Sequence, residues 1–300
     1  MPAPVPAHPR RLVFFGTPSM AVPTLEALVG AGYDVALVVT RADKKRGRGG
    51  ALAPSPVKAA AIDLGIPVTT DIDRALEVRA DAAIVVAFGR IIKPHVLNAL
   101  PMLNIHFSLL PRWRGAAPVE RAVLAGDTLT GVDIMAIDVG LDEGAIYATR
   151  EVRIAEDATA DELRAELVTE GTSLLLGLLE DGVPAPVAQE GVPTYAGKIG
   201  PSELRLDWSR PASHLSRVVR VGGAWTTFRG KRLKVWRAEA TCERAGDRLL
   251  PGGIDPATNE VGTGEGRLRL VEVQPEGKAR QEATAWRNGA HLTQRDRMGS

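Results

Sequence analysis

Short runs that are apolar at every position constrain this chain most. Residues 12–15, 35–39 and 82–86 contain no polar side chain. A strand with one wet face alternates apolar and polar residues, whereas a run without alternation needs cover on both faces. Between the first two runs, Ala21, Val22, Leu25, Leu28 and Val29 recur at helical spacing, and Gly30-Ala31-Gly32 ends the pattern. Strand, helix and strand in this order make a βαβ unit. Further strands are expected at residues 66–68, 82–88 and 102–106, with helical segments between. The implied fold class is α/β, with a Rossmann-like, mostly parallel open sheet.

Such sheets bind ligands at the carboxyl ends of their strands. The first turn reads Gly16-Thr17-Pro18-Ser19, without the glycine spacing of a dinucleotide fingerprint, and no acid closes the second strand. Nicotinamide chemistry is therefore disfavoured. Phe88, Gly89, Asn104 and His106 are expected at the ligand edge. Asn104 and His106 lie two apart on one strand, so they share a face. An amide donor beside an imidazole suits a reaction in which an oxyanion develops and a proton moves. The bland alternative is a hydrogen-bonded structural histidine. The residues after His106 favour chemistry: Ser108-Leu109-Leu110-Pro111 obliges the chain to turn, and Arg112-Trp113-Arg114-Gly115 puts cations and an aromatic into the connector.

Residues 41–52, dominated by Arg, Lys and Gly, are expected as a mobile surface loop that is either merely solvated or meets phosphates. A strand at 131–139 runs through Asp138 into Gly140-Leu141-Asp142-Glu143-Gly144, the tight acidic turn of a hairpin. The residues alone do not choose between Asp138 and Asp142 as a functional carboxylate, because acids also serve turns. Leu163, Leu167, Leu174, Leu175 and Leu178 mark an amphipathic helix over 157–180. Residues 182–200, rich in Pro and Gly, read as a linker.

The character changes near residue 206. Four of the five Trp (Trp208, Trp225, Trp236 and Trp286) lie beyond it, and residues 206–300 hold 17 Lys and Arg against 11 Asp and Glu in a chain of net charge +1. That asymmetry points to a polyanion-facing part or simply to a basic soluble domain. A helix at 213–221, a hairpin across 225–236 and a strand at 267–273 imply a smaller C-terminal β-barrel, OB-like in kind. The tail from 288 offers no closing element, so the barrel is expected to end loosely. The expected division is 1–189 for the Rossmann-like part, 190–206 for the linker and 207–300 for the barrel. The single Cys242 leaves no disulfide framework and no cysteine zinc site, and fits a reducing, cytoplasmic compartment. Residues 1–10 lack the apolar core of a secretory signal, and no apolar run reaches membrane-spanning length.

His106-Phe107-Ser108-Leu109-Leu110-Pro111 with Arg114-Gly115-Ala116-Ala117-Pro118 resembles the signature of enzymes that use 10-formyltetrahydrofolate. Phe14-Phe15-Gly16-Thr17-Pro18, the Gly-Arg-Gly loop before Pro54-Ser55-Pro56-Val57-Lys58, Asp138-Val139-Gly140-Leu141-Asp142, Asp207-Trp208 and Lys234-Val235-Trp236 extend the resemblance to the methionyl-tRNA formyltransferases. One departure is Val221-Gly222-Gly223-Ala224-Trp225, where that family commonly has a Pro-rich aromatic turn.

The resemblance implies a formyltransferase catalytic domain followed by a tRNA-binding barrel. It implies Asn104, His106 and Asp142 as the catalytic trio, and Ser108, Leu109, Leu110 and Pro111 as the folate-binding segment. Arg48, with Arg41, Lys44, Lys45 and Arg46, matches the inserted loop that meets the tRNA acceptor arm. The implied partners are 10-formyltetrahydrofolate as formyl-donating co-substrate and initiator methionyl-tRNA, with no metal, no membrane and no obligate protein partner. Formyltransferases acting on a glycinamide nucleotide or a nucleotide sugar would share the trio but need neither the basic loop nor a basic C-terminal domain. A hydrolase of the formyl donor and a non-catalytic RNA-binding protein are the remaining rivals.

Overall fold

The structure is a computed structural model that describes residues 4–46, 50–242 and 249–300. The chain divides into two compact units. The first runs to Val119 and takes in Leu129–Arg153 and Leu163–Gly197; the second holds Glu120–Thr128, Ile154–Glu162 and the chain from Lys198 onward.

The first unit is built on strands β1 (Arg11–Gly16), β2 (Asp34–Val39), β3 (Lys44–Arg46), β4 (Ala51–Ala53), β5 (Val68–Thr69), β6 (Ala82–Val86), β7 (Met102–His106), β8 (Arg114–Gly115), β9 (Leu129–Ala136), β10 (Ile146–Arg153) and β11 (Tyr195–Ala196). Seven of them form the main sheet in the order β10-β9-β7-β6-β1-β2-β5. From β7 to β5 every pair is parallel, while β9 and β10 are antiparallel additions. The Rossmann-like, mostly parallel sheet is therefore as expected, and β1 stands where the strand order reverses.

Helices α1 (Val22–Gly30), α2 (Pro56–Asp63), α3 (Pro94–Ala99), α4 (Pro118–Ala125) and α5 (Ala160–Asp181) link the strands. On one face of the sheet, Val13, Phe15, Leu37, Val39, Ala83, Val85 and Met102 pack with Ile72, Val96 and Leu97. On the other, Gly171 of α5 lies so close to Ile105 and Val132 that an added Cβ would come within 2.8 Å of Ile105. Thr24 of α1 and Thr172 of α5 share a hydrogen bond of 2.8 Å there. Both faces are thus covered, which is why the strands carry apolar residues at successive positions. Helix α5 begins at Ala160 rather than at residue 157 because Thr159 and Glu162 form a reciprocal cap, Glu162 accepting the Thr159 N–H at 2.9 Å and Thr159 accepting the Glu162 N–H at 3.2 Å.

Two irregular segments carry short strands. The basic segment after β2 is not a structureless loop, since β3 and β4 pair as an antiparallel ribbon. Its base is held by a 2.8 Å bond between Thr40 and Ser55 and by a 2.8 Å ion pair of Lys58 with Asp43. Arg48 lies outside the described residues. In the stretch expected as a linker, β11 pairs in parallel with β8.

In the second unit, α6 (Ala212–Val221), β12 (Trp225–Phe228), β13 (Lys231–Thr241), β14 (Glu260–Gly262), β15 (Arg267–Pro275), β16 (Gln281–Glu282) and α7 (Ala283–Ala290) surround one core. The antiparallel sheet runs β12-β13-β15-β14, with β16 beside β15, a half-barrel of the OB-like kind expected. Gly222 and Gly223, at φ +96° and +77°, turn the chain straight out of α6 into β12; backbone freedom there does the work of a Pro-rich turn. Trp208 and Trp286 are core residues, while Trp225 and Trp236 are half-buried. The C-terminal tail is also not loose, contrary to expectation. Met298 is buried, its N–H donates to Gly252 O at 2.7 Å, and Gly299 N–H donates to Thr227 O at 2.8 Å.

Candidate active site

The end of β7 carries the polar pair. Met102, Asn104 and His106 alternate with Leu103 and Ile105, and Met102 belongs to the core on the α3 side. Asn104 and His106 therefore continue the Met102 row toward the carboxyl edge of the sheet. Asn104 is half-buried, and its side chain makes no hydrogen bond among the described residues. His106 is buried, and its Nε2 lies 3.1 Å from the carbonyl oxygen of Trp113. A carbonyl can only accept, so Nε2 carries the proton in that bond. Nδ1 is then the atom left to take or give a proton.

Nδ1 faces Asp142, whose Oδ2 is 3.8 Å away. The same oxygen accepts the Gly115 N–H at 2.7 Å. Gly115 has φ +120°, and a Cβ on it would lie 2.9 Å from the carbonyl oxygen of Ala196, so only glycine allows this approach. Gln189 fixes the acidic turn from behind. Its Nε2 donates to the carbonyls of Asp142 and Gly144, each at 2.8 Å, while its Oε1 accepts from Arg114 at 2.7 Å. Ala87, Trp113 and Asp142 all take positive φ around this edge, a concentration of backbone strain typical of functional sites.

Asp138 is exposed, and among the described residues its carboxylate caps just the Val139 N–H, at 2.7 Å. Of the two acids left open by the residues themselves, the structure thus brings Asp142 to the imidazole. In the segment 108–111, Ser108 is fully buried, and its hydroxyl is spent on the Arg112 carbonyl at 2.6 Å; Leu110 is also buried, while Leu109 and Pro111 are half-buried. Arg41 is half-exposed just past β2, and Lys44 is exposed on β3, where Lys45 and Arg46 come next.

Sequence reading missed three participants: the Trp113 carbonyl, Gln189 and Asp133. Asp133 is buried on β9 directly opposite His106. Burial pushes its carboxyl above the usual range, against the opposing pull of the Thr149 hydroxyl, the Leu110 N–H and His106. Its only sequence signal is an acid set between two apolar residues, Val132 and Ile134. Among the described residues, no group of three His, Cys, Asp or Glu is placed to hold a metal ion, and no helix is long and apolar enough to cross a membrane.

The family described as formyl transferase matches residues 10–179, and the formyl transferase C-terminal domain matches residues 198–291. The chain is 43% identical to a methionyl-tRNA formyltransferase of Methylobacterium nodulans, across 95% of this chain and 97% of the relative. It is 41% identical to that of Methylococcus capsulatus, across 97% of this chain and 100% of the relative. The chain belongs to the methionyl-tRNA formyltransferases.

Solved structures share the fold at lower identity. An N-formyltransferase from Helicobacter canadensis, in complex with folinic acid and dTDP-3-aminofucose, superposes with a TM-score of 0.66 at 17% identity, over 87% of this chain and 98% of that one. HypX from Aquifex aeolicus, in complex with tetrahydrofolic acid, gives 0.64 at 18%, over 96% of this chain and 48% of that one. The site of this chain holds a pinned imidazole, a carboxylate held by a glycine N–H and, beside them, an amide with no hydrogen-bond partner among the described residues.

Proposed function

We propose that this chain transfers the formyl group of 10-formyltetrahydrofolate to the α-amine of methionyl-initiator tRNA, in the cytoplasm, giving formylmethionyl-tRNA for translation initiation. The observation that carries this reading is the convergence of Asn104, His106 and Asp142 at one strand end, in a chain similar over nearly its whole length to methionyl-tRNA formyltransferases.

Asn104 donates its free N–H to the formyl oxygen as the α-amine bonds to the formyl carbon and that oxygen gains charge. Its lack of another partner among the described residues fits the role, because no bond must be broken to make the new one. His106 Nδ1 takes the proton that the amine loses and returns it to the departing folate nitrogen. Asp142, 3.8 Å from Nδ1, stabilises the imidazolium between the two steps. The Trp113 carbonyl and the Gly115 N–H hold the ring and the carboxylate in this alignment.

Residues 108–111 meet the folate through their backbone and through Leu109 and Pro111, since Ser108 and Leu110 are turned inward. Arg41, Lys44, Lys45, Arg46 and Arg48 meet phosphates of the tRNA, and residues 207–300 supply the second, basic tRNA surface.

The test is formyl transfer to methionine-charged initiator tRNA, with methionine-charged elongator tRNA and glycinamide ribonucleotide as alternative acceptors. Product on the initiator alone supports the reading; turnover only on the small acceptor or on water overturns the choice of partner. His106→Ala should abolish transfer while tRNA binding stays nearly intact. Equal loss of both would remove His106 from the chemistry.

A further inference from the structure

Asp133 is a buried carboxylate that the chemistry above does not use. It is 1% exposed, in the middle of β9, on a row that crosses three strands: Thr149 of β10, Asp133 of β9 and His106 of β7 are successive register partners. Residues opposite each other in antiparallel strands share a face, so Asp133 lies on the His106 side of the sheet. Its two oxygens are both engaged. Oδ1 accepts the Thr149 hydroxyl at 2.6 Å, and Oδ2 accepts the backbone N–H of Leu110 at 2.6 Å. Bonds this short to a carboxylate are the charge-assisted kind, stronger than neutral ones.

Gly131, two residues earlier, shares that face. A Cβ on Gly131 would lie 2.3 Å from the Arg150 carbonyl oxygen and 2.4 Å from Cδ2 of Leu109, so the Leu109 side chain and the neighbouring strand together occupy the space that the missing Cβ leaves. Two adjacent positions on one face of β9 thus receive two adjacent residues of the turn after β7. Gly131 is the seat for Leu109 and Asp133 is the clasp on Leu110. Ser108 closes the near end of the same turn through its bond to the Arg112 carbonyl.

We propose that Asp133 is a positioning residue that holds the 108–111 turn against β9 and thereby sets where the folate lies relative to His106. This rests on the reading that residues 108–111 meet the folate. Asp133 touches no reacting atom; it acts through the Leu110 N–H. A buried, ionisable group in a strand that could have been wholly apolar is costly, and the turn is what that cost secures.

The test compares steady-state formyl transfer by Asp133→Asn, Asp133→Ala and Leu109→Ala, varying folate and methionyl-tRNA in turn, with Tm measured for each variant. Asp133→Ala should raise the folate KM about tenfold, and Asp133→Asn, which keeps one oxygen for the Leu110 N–H, should raise it less. The tRNA KM should stay within about twofold of the parent in both. The Asn variant should show no fall in Tm at neutral pH, so that weaker folate use appears in a protein that has lost no stability. A fall in Tm with equal rises in both KM values would show a merely structural residue and overturn the proposal. If Leu109→Ala raised the folate KM and neither Asp133 variant did, the turn would meet the folate without its clasp, and the proposal alone would fail. If none of the three changed the folate KM, the folate reading of 108–111 would fall, and the proposal with it.

Discussion

At the scale of single residues, the site is an arrangement of unequal carboxylates around one imidazole. Asp142 is partly open and held by a backbone N–H; Asp133 is buried and held by two donors. Their environments separate their roles, as they commonly do where two acids serve one site. Burial raises the Asp133 carboxyl, which makes stability depend on pH. Below its unfolded pKa, near about 4, the acid is neutral in both states and burial costs no charge. As pH rises through the higher folded value, the unfolded chain gains from ionisation first, so stability is lost. Asp133→Asn carries no such dependence. The Tm of the Asn variant relative to the parent should therefore increase from about pH 4 upward and level off once Asp133 ionises in the folded protein. Thermal unfolding at a series of pH values checks this, and a relative Tm that increases as the pH falls would contradict it.

At the scale of elements, the antiparallel half-barrel depends on an ion pair inside it. Arg267, at the start of β15, is 0% exposed and lies 3.2 Å from Glu260 of β14. Removing one partner leaves a charge in the core. Arg267→Ala should cost about 3 kcal/mol or more in the unfolding free energy of the second unit, and replacing both partners with apolar residues should recover much of it. Chemical denaturation followed by tryptophan fluorescence reads the difference, since Trp208 and Trp286 lie in the same core. A loss within about 0.5 kcal/mol, the range of an ordinary surface change, would mean that Glu260 finds another partner. The last residues are also structural. The Asp296 carboxyl is lowered to about 2, first by the Arg229 guanidinium, and it accepts from Thr293 as well. With Met298 in the core, this binds the C-terminal tail to the barrel.

At the scale of the molecule, charge is distributed rather than abundant. Net charge is +1, yet the chain from residue 206 onward and the segment at 41–48 are both rich in cations. Use of tRNA should accordingly be steeply sensitive to salt, while the folate KM should change little. Arg41 is half-exposed and Lys44 exposed, and the β3–β4 ribbon that carries Lys44 is fixed at its base by Thr40, Ser55, Asp43 and Lys58. Converting Arg41 and Lys44 together to Gln should reduce the slope of log kcat/KM for tRNA against log salt by about two, roughly one for each phosphate no longer neutralised. An unchanged slope would remove these two residues from the tRNA surface.

The sequence by itself determined the layer architecture and the first half of the site. Runs such as residues 82–86 require cover on both faces, and two residues two apart on a strand share a face; both are local consequences of a period of two. That is why the parallel sheet and the Asn104–His106 pair were legible before any tertiary contact was known. The tertiary structure alone decided the rest. Asp142 rather than Asp138 reaches the imidazole because the turn is held by Gly115 and Gln189, residues far from it in sequence. Asp133 stands between Val132 and Ile134 with nothing local to say what covers it, and in the folded sheet it has the 108–111 turn over it and Thr149 beside it. The tail looks open and is closed by Gly252 and Thr227. Local periodicity encodes which way a side chain points; which distant segment lies over it depends on strand register and the path of loops, and those are set only when the whole chain is packed.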